Sequence, residues 1–70
     1  MADITAPMAG KVIDIKVNIG DTVQEDDEVA IIEAMKMEMP ILTYTNGTVK
    51  EIKVEKGSSV EADQVIIIIE

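Results

Sequence analysis

The sequence predicts an all-β domain, a sandwich or flattened barrel of about eight short strands. Three observations lead to this prediction. Apolar residues alternate with polar ones or form short β-branched runs, turn residues separate these runs at regular intervals, and the second half of the chain repeats the first. No segment shows the sustained 3.6-residue periodicity that a helix requires.

The repeat has a constant offset of 37 residues, from Gly10 to Gly47. Residues 10–33, GKVIDIKVNIGDTVQEDDEVAIIE, align without a gap with residues 47–70, GTVKEIKVEKGSSVEADQVIIIIE. Residues 3–7 likewise align with residues 40–44. Two repeats are too few for a solenoid, so they favour a closed domain with a pseudo-two-fold axis.

The first long strand of each repeat is predicted from alternation, because a period of two is typical of a half-buried strand. Val12 to Ile15 is a step of three, however, and the equivalent residues of the second repeat show the same step. An extra residue of this kind predicts a bulge or bend. The alternating apolar residues of the first repeat are Ile13, Ile15, Val17 and Ile19.

Turns and buried strands complete each repeat. Residues 19–21 and 56–58 centre on glycine and predict turns, and Asn46-Gly47 is a strong signal for a tight turn. Residues 29–33 and 65–69 are β-branched runs of the kind found in buried strands. The two halves are expected to pack their apolar faces together.

The composition argues against an enzyme. Seventy residues make one domain, residues 1–70, and a chain this short buries only about 60% of its unfolded surface. The absence of His and Cys removes the usual transition-metal ligands, the commonest general base and the thiol nucleophile. We therefore assign no catalytic residue and no metal ligand.

The charge and hydropathy exclude two further classes. The net charge of −8, from 14 acidic residues and 6 lysines, would repel a phosphate backbone, so we expect no nucleic-acid partner. No apolar run reaches the roughly 18 residues of a membrane span. The first residues lack the pattern of a signal peptide, and the absence of Cys is compatible with a reducing compartment. We therefore expect a cytoplasmic location.

The repeat also locates the segment that links its two halves. Glu33 corresponds to Glu70, so residues 34–39 continue past the first repeat and link it to the second. Lys36 lies where two strands must reverse direction, at the end of the domain opposite to the termini. A lysine amine at a hairpin tip can enter the active site of another protein and, once deprotonated, attack an acyl-adenylate.

The residues that flank Lys36 do not suit a turn. Turns normally contain Gly, Asn, Asp, Ser or Pro, whereas Met35 and Met37 are adaptable apolar side chains that suit a recognition surface. An ordinary solvated lysine between core-filling methionines is the alternative. For Met39, core filling and exposure are both left open.

Residues 33–38, Glu-Ala-Met-Lys-Met-Glu, resemble the biotin-attachment motif of biotinyl domains, which belong to the biotin/lipoyl attachment family. These domains are the biotin carboxyl carrier modules of biotin-dependent carboxylases, decarboxylases and transcarboxylases. Residues 6–12, 20–23 and 47–49 also match the family's pattern, so the resemblance covers nearly the whole chain. It implies that Lys36 carries covalent biotin and that biotin protein ligase reads Met35 and Met37.

The resemblance implies an architecture and a mechanism as well. The expected fold is a flattened eight-stranded barrel of two four-stranded antiparallel sheets. The expected function is the transport of carboxybiotin between a biotin carboxylase and a carboxyltransferase or decarboxylase. Residues 17–21 leave no room for the protruding segment of some acetyl-CoA carboxylase carriers. The chain is therefore more similar to the carriers of pyruvate carboxylase, propionyl-CoA carboxylase, transcarboxylase and sodium-pump decarboxylases.

Other interpretations remain open at this point. Lipoyl domains share the fold and the lysine position, but their motif usually has Asp before the lysine and Ala after it. An unmodified structural hairpin domain would need no exposed lysine between methionines. The acidic run 25–28 lacks the spacing of a calcium loop and is interpreted as a solvated turn. No pocket-forming sequence supports Glu33 and Glu38 as paired catalytic carboxylates.

Overall fold

The computed structural model describes all residues from Met1 to Glu70 and contains eight β-strands and no helix. The predicted all-β class is therefore confirmed. The structure contains no helix that is long and apolar enough to cross a membrane. The strands are β1 (Ala2–Thr5), β2 (Gly10–Ile15), β3 (Thr22–Val23), β4 (Glu28–Ala34), β5 (Met37–Leu42), β6 (Gly47–Ile52), β7 (Ser59–Val60) and β8 (Val65–Ile69).

The strands form two four-stranded sheets, with the orders β1-β8-β6-β3 and β5-β4-β2-β7. Every pairing is antiparallel. If each strand is replaced by its equivalent in the other repeat, the first order becomes the second. The pseudo-two-fold symmetry that the repeat predicted is therefore the symmetry of the sheets, and the predicted two-sheet fold is confirmed.

The two predicted bulges are present. The register between β2 and β4 shifts between Val12 and Asp14, and the register between β6 and β8 shifts between Val49 and Glu51. In each repeat, β2 or its equivalent β6 therefore has one extra residue without a partner on the neighbouring strand, as the step of three predicted. A bulge increases the local twist, which helps a sheet to close over its partner.

The core is one apolar cluster of 15 buried residues contributed by both repeats. Ile32 and its equivalent Ile69 are almost completely buried, as are Ile66 and Ile67. Each such side chain stabilises the fold by about 1.5–3 kcal/mol relative to exposure. Because β4 lies in the middle of its sheet and supplies this core, the hairpin that follows it has a stable base.

Two predictions about local structure are wrong. The alternating strand does not continue to Ile19, because β2 ends at Ile15. Ile19 lies with Gly20 in the turn that was predicted at residues 19–21, and 66% of its surface is exposed. Alternation alone could not detect this, because a solvated apolar residue in a turn has the same spacing as a strand residue.

Asn46-Gly47 does not form the predicted tight turn either. Residues 43–46 connect β5 to β6, which lie in different sheets, and Gly47 already belongs to β6. The Asn46 side-chain Oδ1 instead accepts a hydrogen bond of 2.7 Å from the Glu25 backbone N–H. The Asn side chain thus stabilises a crossing between the sheets rather than a hairpin.

Candidate functional site: the Lys36 hairpin

Lys36 lies at the tip of a two-residue hairpin between β4 and β5. Ala34 pairs with Met37, so only Met35 and Lys36 form the turn, and the predicted position of Lys36 is confirmed. Their φ angles are +53° and +65°, so both residues adopt the left-handed conformation of a type I′ turn.

This turn is unfavourable for the residues that form it. Type I′ turns favour Asn and Gly, whereas a left-handed residue with an ordinary side chain costs roughly 1–2 kcal/mol. The conformation of the turn therefore does not explain why Met35 and Lys36 occupy the tip. Unfavourable backbone conformations of this kind concentrate at sites where function determines the residue.

The three residues at the tip are all accessible. Met35 is 83% exposed, Met37 is 64% exposed, and Lys36 is exposed between them. The two ion pairs of the structure join Lys16 to Asp14 and Lys53 to Glu51, so neither involves the hairpin. The ammonium group of Lys36 is consequently free of a carboxylate partner.

The base of the hairpin is anchored, in contrast to its tip. Ala34 is 4% exposed, and Met39 is half-buried and packs against the core cluster. The question left open for Met39 is thereby answered in favour of core filling. The root of the Lys36 side chain is held by a packed sheet, while the amine itself extends into solvent.

The acidic run that follows β3 has a structural role. Asp26 has a φ of +74°, and the Asp27 carboxylate accepts a hydrogen bond of 2.8 Å from the Gln24 backbone N–H. These residues shape a turn, as the equivalent turn at Asp63 does in the second repeat. No group of three His, Cys, Asp or Glu side chains is placed to hold a metal ion.

The arrangement around Lys36 fits a covalently attached group. None of the surface depressions is lined by Lys36. An exposed, unpaired amine on a hairpin with a buried base is accessible to a modifying enzyme without unfolding of the domain. The residues present therefore fit an acyl group such as biotin, joined to the Lys36 Nζ.

The sequence profile of the family described as "Biotin-requiring enzyme" matches residues 2–69. The chain is 43% identical over 67 residues to mitochondrial pyruvate carboxylase from Mus musculus, a match that covers 96% of this chain and 6% of that protein. It is 45% identical over 64 residues to the biotin carboxyl carrier protein of Streptococcus mutans, covering 91% of this chain and 49% of that protein. It is 39% identical over 64 residues to the biotin/lipoyl attachment protein of Bacillus subtilis, covering 91% and 88%.

Two solved structures are similar over nearly the whole chain. The urea carboxylase of Kluyveromyces lactis has a TM-score of 0.93 at 32% identity, covering 99% of this chain and 6% of that one. The lipoyl domain of the 2-oxoglutarate dehydrogenase complex from Azotobacter vinelandii has a TM-score of 0.83 at 25% identity, covering 100% and 96%.

The chain belongs to the biotin-requiring family. It is a biotin carboxyl carrier domain, and biotin is its cofactor, as the resemblance implied. The chain spans 6% of the pyruvate carboxylase and about half of the Streptococcus carrier protein. The fold is shared with a lipoyl domain, so the residues around Lys36, and not the fold, separate the two kinds of carrier.

Proposed function

We propose that the Lys36 Nζ carries biotin in an amide bond, and that the domain carries a carboxyl group between two active sites of a biotin-dependent enzyme. One observation supports this most directly. Lys36 is an exposed lysine without an ion-pair partner, at a two-residue turn whose conformation disfavours it, between two exposed methionines.

The attachment reaction requires a partner enzyme, which we propose to be biotin protein ligase. The Lys36 Nζ attacks the carbonyl carbon of biotinyl-adenylate, the C–N amide bond forms, the bond from carbon to the AMP oxygen breaks, and the amine proton passes to solvent. Met35 and Met37 provide the apolar surface that the ligase contacts, because they lie on either side of the amine and are mostly exposed.

When bound, biotin supplies the ring nitrogen that takes up and releases the carboxyl group. The residues of the domain supply no acid or base, and their contribution is to position the arm. The packed sheet beneath Ala34 and Met39 defines where the arm begins, which raises the effective concentration of the arm near each active site. The partners are proposed to be a biotin carboxylase and a carboxyltransferase or decarboxylase. The cytoplasmic location stays a prediction.

The test is modification in vitro with purified ligase, ATP and biotin. We expect intact mass to increase by one biotinyl group and peptide mapping to place it on Lys36. Lys36→Arg should fold normally but take up no biotin, because a guanidinium stays protonated. The matched control is Lys50→Arg, which should be modified at the rate of the original chain. Modification of Lys11, Lys50, Lys53 or Lys56 in place of Lys36 would refute the assignment.

A lipoyl carrier is the second candidate, since the lipoyl domain of Azotobacter vinelandii covers the whole chain at a TM-score of 0.83. A parallel incubation with lipoate ligase, ATP and lipoate distinguishes the two, because the two acyl groups differ in mass. Preferential modification of Lys36 by lipoate would replace biotin in this proposal.

A further inference from the structure

A shallow groove of about 430 Å³ lies on the outer face of the sheet that carries the hairpin. Two ammonium groups and two carboxylates line it, from Lys11, Lys56, Glu33 and Glu38, and Ile13 contributes apolar surface. We name it the charged groove.

Three of these side chains form a row across neighbouring strands. Lys11 of β2 pairs with Glu33 of β4, and Glu33 pairs with Glu38 of β5. All three are exposed, whereas the adjacent Val12 and Ala34 are buried, so the row faces away from the core. Lys56, in the turn before β7, adds the second ammonium group from a distant part of the chain.

The charges of this groove do not satisfy one another. No ammonium nitrogen of Lys11 or Lys56 lies within 4 Å of a carboxylate oxygen, since the ion pairs of the structure lie elsewhere. Donors and acceptors therefore remain available to a polar ligand. Lys56 is also not needed to form its turn, because that turn is stabilised by a hydrogen bond from the Glu55 backbone N–H to the Ser58 hydroxyl.

The pseudo-two-fold axis provides an internal control. In the other repeat, Thr48 replaces Lys11, Ile19 replaces Lys56 and Met1 replaces Glu38. Of the four charged residues, only Glu33 has an equivalent of the same charge in the other repeat, which is Glu70. The equivalent strands and turn thus form without these charges, so the fold does not require the charged groove.

The groove lies within reach of the arm proposed for Lys36. Glu38 is two residues from Lys36 along β5, a distance of about 7 Å at roughly 3.3 Å per residue. The lysine side chain and the acyl chain of biotin together are longer than this, so a ring at the end of the arm can fold back onto the sheet.

We propose that the charged groove binds the bicyclic ring of the biotin attached to Lys36 between transfers, an inference that rests on the proposed function. The ureido N–H groups of the ring donate to the carboxylates of Glu33 and Glu38. The ureido carbonyl accepts from Lys11 or Lys56, and the apolar part of the ring contacts Ile13. In this position the ring is partly shielded from solvent by its own domain. An active site that receives the ring must first displace the ring from the charged groove.

The test compares the biotinylated and unmodified domains by NMR, after intact mass has shown complete loading at Lys36. Failure to load would contradict the proposed function and is recognised at this step. With loading complete, we expect backbone amide shifts at Lys11, Glu33, Lys56 and Gly57, and nuclear Overhauser effects from the ring protons to the Ile13 methyl groups. Shifts confined to residues 34–38 would overturn the proposal.

The double variant Lys11→Thr with Lys56→Ile introduces the residues of the other repeat. It should load with biotin and retain its melting temperature, but lose the Overhauser effects to Ile13. Lys50→Thr, on the equivalent face of the other sheet, is the matched control and should keep them. If the double variant retains these effects and is only biotinylated more slowly, the groove is a contact surface for the ligase and the proposal is wrong.

Discussion

The hairpin end and the terminal end of the molecule have equivalent strand pairing but different surfaces. Ile32 pairs with Met39 beneath the hairpin, and the equivalent residues Ile69 and Ala2 pair at the terminal end. The pairing is the same, yet one end presents Lys36 and the charged groove and the other presents neither. The repeat therefore specifies the scaffold, and the residues that depart from the repeat specify the function.

The equivalence of the two ends extends to close packing. The Glu33 carbonyl approaches Gly10 so closely that a Cβ there would collide with it, and the Glu70 carbonyl approaches Gly47 in the same way. The two halves are thus stabilised by equivalent contacts. Substitutions at equivalent positions test how far this equivalence holds, and the following predictions run from the largest expected loss of stability to the smallest.

Ile32→Ala and Ile69→Ala should cause the largest and most similar losses. Both side chains are almost completely buried in the same core, and each truncation leaves a cavity that costs about 2–5 kcal/mol. Urea denaturation of the two variants measures this directly. A loss below about 1 kcal/mol for one of them would show that the two repeats do not share the core equally.

Gly47→Val should destabilise the terminal end by about 1 kcal/mol or more. Gly47 has a φ of +155°, a backbone conformation that residues with a Cβ rarely adopt. A Cβ there would lie 2.6 Å from both the Glu70 carbonyl oxygen and the Ile69 Cγ2. The control is Gly20→Ala, where φ is +96° but no atom lies within 4 Å, so only backbone strain contributes. Equal melting temperatures for the two variants would contradict the role of this close approach.

Met39→Ala should have a smaller effect, of about 1 kcal/mol, because its side chain is only half-buried against the core. The substitution gives the hairpin end the residue type of the terminal end, where Ala2 occupies the equivalent position. Thermal unfolding provides the measurement. An unchanged melting temperature would mean that Met39 does not fill the core and belongs with the exposed methionines.

The double variant Met35→Asp with Met37→Ala should barely change the free energy of unfolding, by about 0.5 kcal/mol or less, because both residues are exposed. Its rate of biotinylation should nevertheless fall sharply, since the substitutions remove the apolar surface that is proposed to contact the ligase. A thermal melt and a ligase time course on the same sample test both expectations. Biotinylation at the original rate would show that the position of the hairpin, and not the methionines, determines recognition.

Some features of this protein were determined by the sequence alone. The all-β class, the two bulges and the two-fold symmetry follow from periods and repeats that are visible along the chain. The position of Lys36 follows as well, because the repeat defines where the first half ends. Residues 33–38 indicate the family as well, because they resemble the attachment motif of biotinyl domains.

Other features were decided only by the tertiary structure. The role of Asn46 depends on Glu25, which lies 21 residues away, and the charged groove depends on Lys56 lining the same depression as Glu33. Likewise, the left-handed conformation of Met35 and Lys36 arises because Ala34 and Met37 are paired, which leaves two residues to reverse the chain. Local patterns determine which residues form strands, but only the pairing of distant strands determines which side chains meet. The candidate attachment site could therefore be predicted from the sequence, whereas the groove beside it could not.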